Sequence, residues 1–182
     1  MGQYYMPVIK RGNKLRRVYS HEFDNGLKLT EHSYVGNNFV NVVANDLVDN
    51  PANLYWVGDY AEEGDFVSKS AFDKIYGYAW QREKNSGTTL ENPNPIFDWS
   101  DDWYYVNETK KEYLCMPKSG FFVYSPISLL TAIGNGRGGG DYRKDNSMIG
   151  YWAGDKVYLS KTKPEENYSN ITADADFGQE LW

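Results

Sequence analysis

The sequence predicts an α+β fold: one domain built on a mainly antiparallel sheet, with two or three helices. Three observations carry that prediction. The 182 residues suffice for one sizeable core. Aromatic residues make up 16% of the chain, with 16 Tyr and 6 Trp, a usage that favours strands and contact surfaces. Short apolar and aromatic runs alternate with turn residues, and only two longer stretches carry helical periodicity.

Tyr4–Lys10 reads as a first strand, with Pro7 placing it at an edge or bulge. Arg11-Gly-Asn-Lys14 is turn chemistry, and Leu15–Ser20 returns as a second strand. Asp24-Asn-Gly26 marks a turn before a short third strand, Leu27–Thr30. Phe39, Val40, Val43, Ala44, Leu47 and Val48 recur at helical spacing after Asn37-Asn38, and Asn50-Pro51 stops that helix. Leu54–Tyr60 is an apolar strand for the middle of the sheet. Ser70-Ala-Phe-Asp73 has the form of a capping box and opens a second helix with Phe72, Ile75, Tyr76 and Ala79 on one face. Glu83–Pro95 has the composition of a flexible connector. Trp103–Val106 and Glu112–Met116 form a hairpin, Phe121–Tyr124 a further strand, and Met148–Trp152 with Lys156–Leu159 a last hairpin. Residues 1–163 are assigned to the domain, and 164–182 to an acidic, weakly ordered tail whose Leu181 and Trp182 are candidates to dock.

The densest signal is Leu129–Tyr142, where five of the eight residues from Gly134 to Asp141 are glycine. Such a cluster serves either positive φ at successive positions or a close backbone approach. One reading is an anion-binding nest of bare N–H groups open to solvent, with Arg137 supplying a planar charged fork. The other is a tight turn packed on the fold, with Arg137 held by a structural carboxylate. Gly134-Asn-Gly-Arg-Gly-Gly139 matches the dinucleotide fingerprint by letter. That fingerprint needs a strand before it and a helix after it. Here Ser125-Pro126 opens a short helix before the loop, and no apolar helical face follows it. Dinucleotide binding is therefore rejected, and so is a phosphate loop of the Gly-Lys-Ser/Thr type.

The net charge of −6 argues against coating nucleic acid by bulk charge, but the charges are unevenly distributed. Lys10, Arg11, Lys14, Arg16 and Arg17 make the N-terminal hairpin basic. Between Lys28 and Lys69 only acids occur, among them Asp59, Glu62, Glu63 and Asp65. The candidate nucleic-acid or partner-binding set is therefore Lys10, Arg11, Lys14, Arg16 and Arg17, with Asn135, Arg137, Gly138, Gly139, Asp141, Tyr142 and Arg143 of the glycine loop. Tyr4, Tyr5, Tyr19 and Tyr142, interleaved with these cations, are candidate stacking faces. The candidate acidic partner-binding set is Asp59, Glu62, Glu63 and Asp65.

No cofactor or metal is assigned: Asp59, Glu62 and Glu63 are of a type to bind a hard cation, but a solvated acidic loop is the preferred reading. His21 and His32 lack zinc spacing with the single Cys115, which itself alternates with core residues in a strand. One cysteine excludes an internal disulfide framework and suits a reducing cytoplasm. No signal peptide or apolar membrane span is read. The one enzymatic pattern is Asp98 with Glu108-Thr-Lys110, which resembles the spacing of Mg²⁺-dependent nucleases. No Pro precedes Asp98, and Glu108 and Lys110 fall in a predicted turn, whereas such sites place them on a strand.

Four segments carry a wider likeness: Met1–Lys10, Trp56–Ala61, Thr109–Leu114 and Leu130–Tyr142. Together they resemble a family of short proteins from gut bacteria and their phages and plasmids. One branch of about this length acts as an anti-CRISPR against type II systems. The resemblance implies a non-enzymatic Cas9 inhibitor in the cytoplasm of a bacterial host. Its partner would be a Cas9-type effector with guide RNA, and double-stranded DNA is a further candidate. The family supplies no active-site residues to carry over. The alternatives are the Mg²⁺-dependent nuclease and a non-catalytic accessory protein that binds nucleic acid or protein.

Overall fold

Strand β1 (Tyr5–Arg11) and strand β2 (Lys14–Arg17) form the expected basic hairpin. The computed structural model describes residues 2–81, 87–91, 95–116, 123–139, 141–142, 148–175 and 177. The third strand expected over Leu27–Thr30 is instead helix α1 (Leu29–His32). The Glu31 carboxylate takes the Lys28 N–H, which starts a helical turn, and only the Leu27 carbonyl still meets β1, at the Tyr5 N–H. Helix α2 (Asn38–Asp46) begins where predicted, because the Asn37 side chain accepts the Phe39 N–H. Its Phe39, Val40, Val43 and Ala44 are buried.

Strand β3 (Ala52–Gly58) lies centrally, and helix α3 (Lys69–Trp80) is capped by Ser68 rather than Ser70. Strands β4 (Trp103–Asn107) and β5 (Glu112–Met116) form the predicted hairpin. Helix α4 (Pro126–Leu130) carries Pro126 at its start, and strand β6 (Ala132–Ile133) runs parallel to β3. Residues 148–155 are turns rather than the expected strand. The N–H groups of Gly150 and Trp152 donate to the carbonyls of Leu129 and Leu130 at the end of α4, so they are not available to a ladder. Strand β7 (Lys156–Ser160) then joins β3 to β4, and strand β8 (Ser169–Asn170) closes the far edge. The sheet order is β2-β1-β3-β7-β4-β5-β8, with β6 beside β3, and most pairings are antiparallel.

Around β1 and β3 the sheet is covered on both faces. Tyr5, Ile9 and Trp56 meet α1, α2 and α4 in the main core, while Met6, Val8 and Val57 meet Ile75 and Ala79 of α3. Two segments expected to be loose are packed. Thr89 pairs with the Arg17 backbone and Thr88 accepts the Tyr19 N–H, so part of the connector covers the edge of β2. Ile171, Ala175 and Phe177 of the acidic tail are buried in the main core. Residues Phe121 and Phe122 of one predicted strand, Arg143 of the candidate site, and Leu181 and Trp182 lie outside the described residues.

Candidate functional site

Strand β1 brings the candidate residues to its two ends, roughly 20 Å apart at the rise of an extended chain. The glycine loop and the acidic residues meet at the Tyr5 end. Gly134 and Gly136 have φ of +90° and +91°, which answers in part why the loop needs glycine. Gly138 answers a different need, since a Cβ there would lie 2.9 Å from the Tyr60 ring.

The expected open nest is already filled. Asp141 is only 4% exposed, and its Oδ2 accepts the N–H groups of Gly136 (3.0 Å) and Gly138 (2.8 Å). Its Oδ1 accepts the buried Tyr5 hydroxyl at 2.9 Å. Burial, then the charge of Asp141, holds the Tyr5 phenol well above its ordinary pKa. Asn135 exchanges hydrogen bonds with the backbone of Tyr142, through Nδ2 to the carbonyl and Oδ1 from the N–H, both at 2.9 Å. The Gly139 carbonyl accepts the Gln3 N–H. Tyr142 is buried, so it offers no stacking face.

Arg137 stands at the exposed tip, and its fork is also occupied. It donates to Glu62 (3.2 Å) and Asp65 (2.8 Å), which raises its pKa further, chiefly through the Asp65 hydrogen bond. Asp65 in turn accepts the Glu62 N–H at 2.7 Å, and Glu63 pairs with Lys69 at 3.8 Å. Asp59 accepts the Tyr4 N–H at 2.8 Å, and burial lifts its carboxyl pKa against that bond. Thus the glycine set and the acidic set, separate in sequence, form one face. Asp65, Gly134, Asn135, Gly136 and Arg137 line a cleft of about 620 Å³, with Ala132, Ile133, Ile149, Gly150 and Ala153 completing its wall.

The basic cluster is divided by the pleat of its hairpin. Cross-strand register pairs Ile9 with Arg16 and Arg11 with Lys14, which puts all four on the α2 face. Lys10 and Arg17 fall on the α3 face. Arg17 is buried; it donates to the carbonyls of Gly87 and Tyr78 and lies 5.5 Å from the Tyr78 ring centroid. Arg11 is clamped by the Asp46 carboxylate (2.7 Å) and by the carbonyls of Asp46, Asn50 and Pro51. These two arginines are structural. Lys10, Lys14 and Arg16 have no acidic partner among the described residues, and Arg16 donates only to the Leu15 carbonyl there. Arg11, Lys14 and Arg16 line a second cleft, of about 320 Å³, with Ile9, Asp46, Thr89, Leu90 and Glu91. Sequence reasoning missed Asp46 and Thr89–Glu91, which reach this cleft only through tertiary packing. Of the other tyrosines, Tyr5 is buried and Tyr4 is 41% exposed.

The nuclease pattern is not brought together. Asp98 lies in the loop before β4, where its carboxylate accepts from the N–H and hydroxyl of Ser100. Glu108 and Lys110 lie beyond the other end of β4, paired to Lys156 (3.1 Å) and Asp155 (2.6 Å). Among the described residues no group of three or more His, Cys, Asp or Glu is placed to hold a metal ion. His32 is a core residue, with Nε2 accepting the Trp56 indole N–H (2.9 Å) and Nδ1 meeting the Gly26 carbonyl (3.1 Å). Burial lowers its pKa to about 4, so it is neutral near pH 7. No helix among the described residues is long and apolar enough to cross a membrane.

No family model, no curated protein and no solved structure matches the chain.

Proposed function

We propose that the chain is a non-enzymatic binding protein that inhibits a Cas9-type effector by hindering its engagement with target DNA in a bacterial host cell. The observation that carries the reading is the acidic face at the Tyr5 end of β1. There Glu62 and Asp65 are held in place by Arg137, while Glu63 stands exposed beside them. A guide-loaded effector of this kind reads its short duplex motif with arginines and holds its heteroduplex in a positive channel. Carboxylates on a fixed loop are complementary to both surfaces. The resemblance of the four segments to the family of short proteins that includes an anti-CRISPR branch supports the same reading. The separation of acidic and basic faces along one strand is compatible with guide RNA or double-stranded DNA sharing the complex.

The test is a cleavage assay with guide-loaded Cas9, run beside co-elution of the two proteins with and without target DNA. Inhibition and co-elution are expected, both weakened by Glu62→Lys with Glu63→Lys. A chain in stoichiometric excess that neither co-elutes nor slows cleavage would sink the proposal. Plasmid incubated with the chain and Mg²⁺ alone is expected to stay supercoiled. Nicking that Asp98→Ala abolishes would assign the nuclease alternative instead.

A further inference from the structure

The cleft at the Arg11 end of β1 plays no part in the acidic-face reading, and its chemistry differs. We infer that it is a binding site for a phosphate ester, gripped by Lys14 and Arg16. Three observations lead there.

The first is the state of the cations. Arg11 is consumed by Asp46 and three backbone carbonyls. Lys14 and Arg16, on the same face, meet no carboxylate among the described residues. Arg16 donates one N–H to the Leu15 carbonyl at 3.1 Å, which orients the guanidinium, and among the described residues its remaining N–H groups meet no other acceptor. A planar fork beside an ammonium matches the oxygens of a phosphate, with bidentate contact from the arginine.

The second is rigidity. The far wall is anchored at Thr89, by its N–H on the Arg17 carbonyl, by its hydroxyl accepting the Arg17 N–H, and by its bond with the Tyr78 hydroxyl. Arg11, locked to the loop after α2, fixes the near wall. The site is thus preformed, and little ordering opposes binding.

The third is size and lining. A cleft of about 320 Å³ is at the small end of ligand pockets and larger than a bare phosphate requires. Ile9 and Leu90 contribute apolar surface suited to the carbon body that an ester carries. Two acids also face the cleft. Asp46 is neutralised by Arg11, and Glu91 stands exposed, so an anion sits toward Lys14 and Arg16. A nucleoside phosphate and a nucleic-acid backbone share this chemistry.

The experiment titrates ¹⁵N-labelled full-length chain separately with inorganic phosphate, AMP, and a DNA duplex lacking terminal phosphates, following backbone amides. The expected result is a perturbation of Ile9–Arg16 and Thr89–Glu91 by at least one phosphate ester. Lys14→Ala with Arg16→Ala should weaken it about tenfold or more, the scale of two charge-assisted contacts. Glu91→Gln should strengthen it without touching the fold. AMP binding more tightly than phosphate assigns a mononucleotide. Duplex binding whose log–log salt slope falls by about 2 in the double variant assigns a nucleic-acid backbone. Either outcome supports the site. Amides left unmoved by both esters, or shifts that persist unchanged in the double variant, overturn it. Its failure leaves the effector assay unaffected, because that assay reads Glu62 and Glu63.

Discussion

The two ends of strand β1 both gather charged side chains, and they treat them in opposite ways. At the Tyr5 end, the glycine amides and the arginine that sequence offered to an anion are answered inside the chain. Asp141 fills the nest of glycine amides, and Arg137 is shared between Glu62 and Asp65. At the Arg11 end, two arginines are absorbed by carbonyls and a carboxylate, while Lys14 and Arg16 meet no carboxylate among the described residues. The difference teaches that a glycine-rich loop is a weak pointer to an anion site until the acceptor of its N–H groups is known. Amides turned toward the core must find an acceptor, here the buried Asp141. The tip of a hairpin in water is under no such obligation.

The sharpest way to break the comparison is Asp141→Ala. It removes the buried carboxylate that accepts the Gly136 and Gly138 amides and the Tyr5 hydroxyl, and leaves that hydroxyl only Gln3 Oε1 at 3.2 Å. We expect a loss of about 3 kcal/mol. For a domain of this size that lowers the melting temperature by about 10 °C. A change below about 1 kcal/mol in urea denaturation would show that the loop does not depend on its internal anion.

Acid offers a second test. His32 lies in the main core, bonded to Trp56, which is paired with β6. Its folded pKa of about 4 is below the ordinary 6.5, so between those values the unfolded chain holds more protons. Stability is then complete above pH 6.5 and falls as pH drops toward 4, by about 3 kcal/mol if His32 acts alone. Hydrogen exchange should weaken first around Trp56 and Ala132, before the β1–β2 hairpin. His32→Gln should remove the dependence in that window.

Arg11→Ala comes next. It leaves Asp46, whose side chain is 13% exposed, without its cation and releases three carbonyls. A loss of about 2 kcal/mol is expected, read as a shifted denaturation midpoint with unchanged slope. A neutral result would place Arg11 with Lys14 and Arg16 and redraw the cleft.

The sequence makes much of this frame legible. Helical spacing marks α2 correctly, because its apolar face must be buried and Asn37 caps it. Turn chemistry fixes both hairpins that form, at Arg11–Lys14 and Asn107–Glu112. What stayed hidden depends on partners far along the chain. Leu27–Thr30 has strand composition, yet Glu31 turns it into a helix. Met148–Trp152 has strand composition too, but α4 takes its amides. Among the site residues, Arg11 and Arg17 look identical to Arg16 in sequence. Only cross-strand register and the positions of Asp46 and Gly87 separate them. The acidic set could be named from composition, whereas its union with Arg137 needed the fold.

The smallest expected effect is the most discriminating. Lys14→Ala with Arg16→Ala should change stability by less than about 0.5 kcal/mol, as surface substitutions do. Neither side chain satisfies a buried group among the described residues, and the strand pairing of β1 with β2 runs through backbone atoms alone. Removing two like charges that lie near Arg11 relieves repulsion, which offsets the packing lost from the stems. A protein whose fold is indifferent to these two cations and whose ester binding collapses without them keeps them for a ligand. If thermal denaturation instead shows a loss comparable to Arg11→Ala, the cations are holding the hairpin, and the contrast between the two ends of β1 disappears.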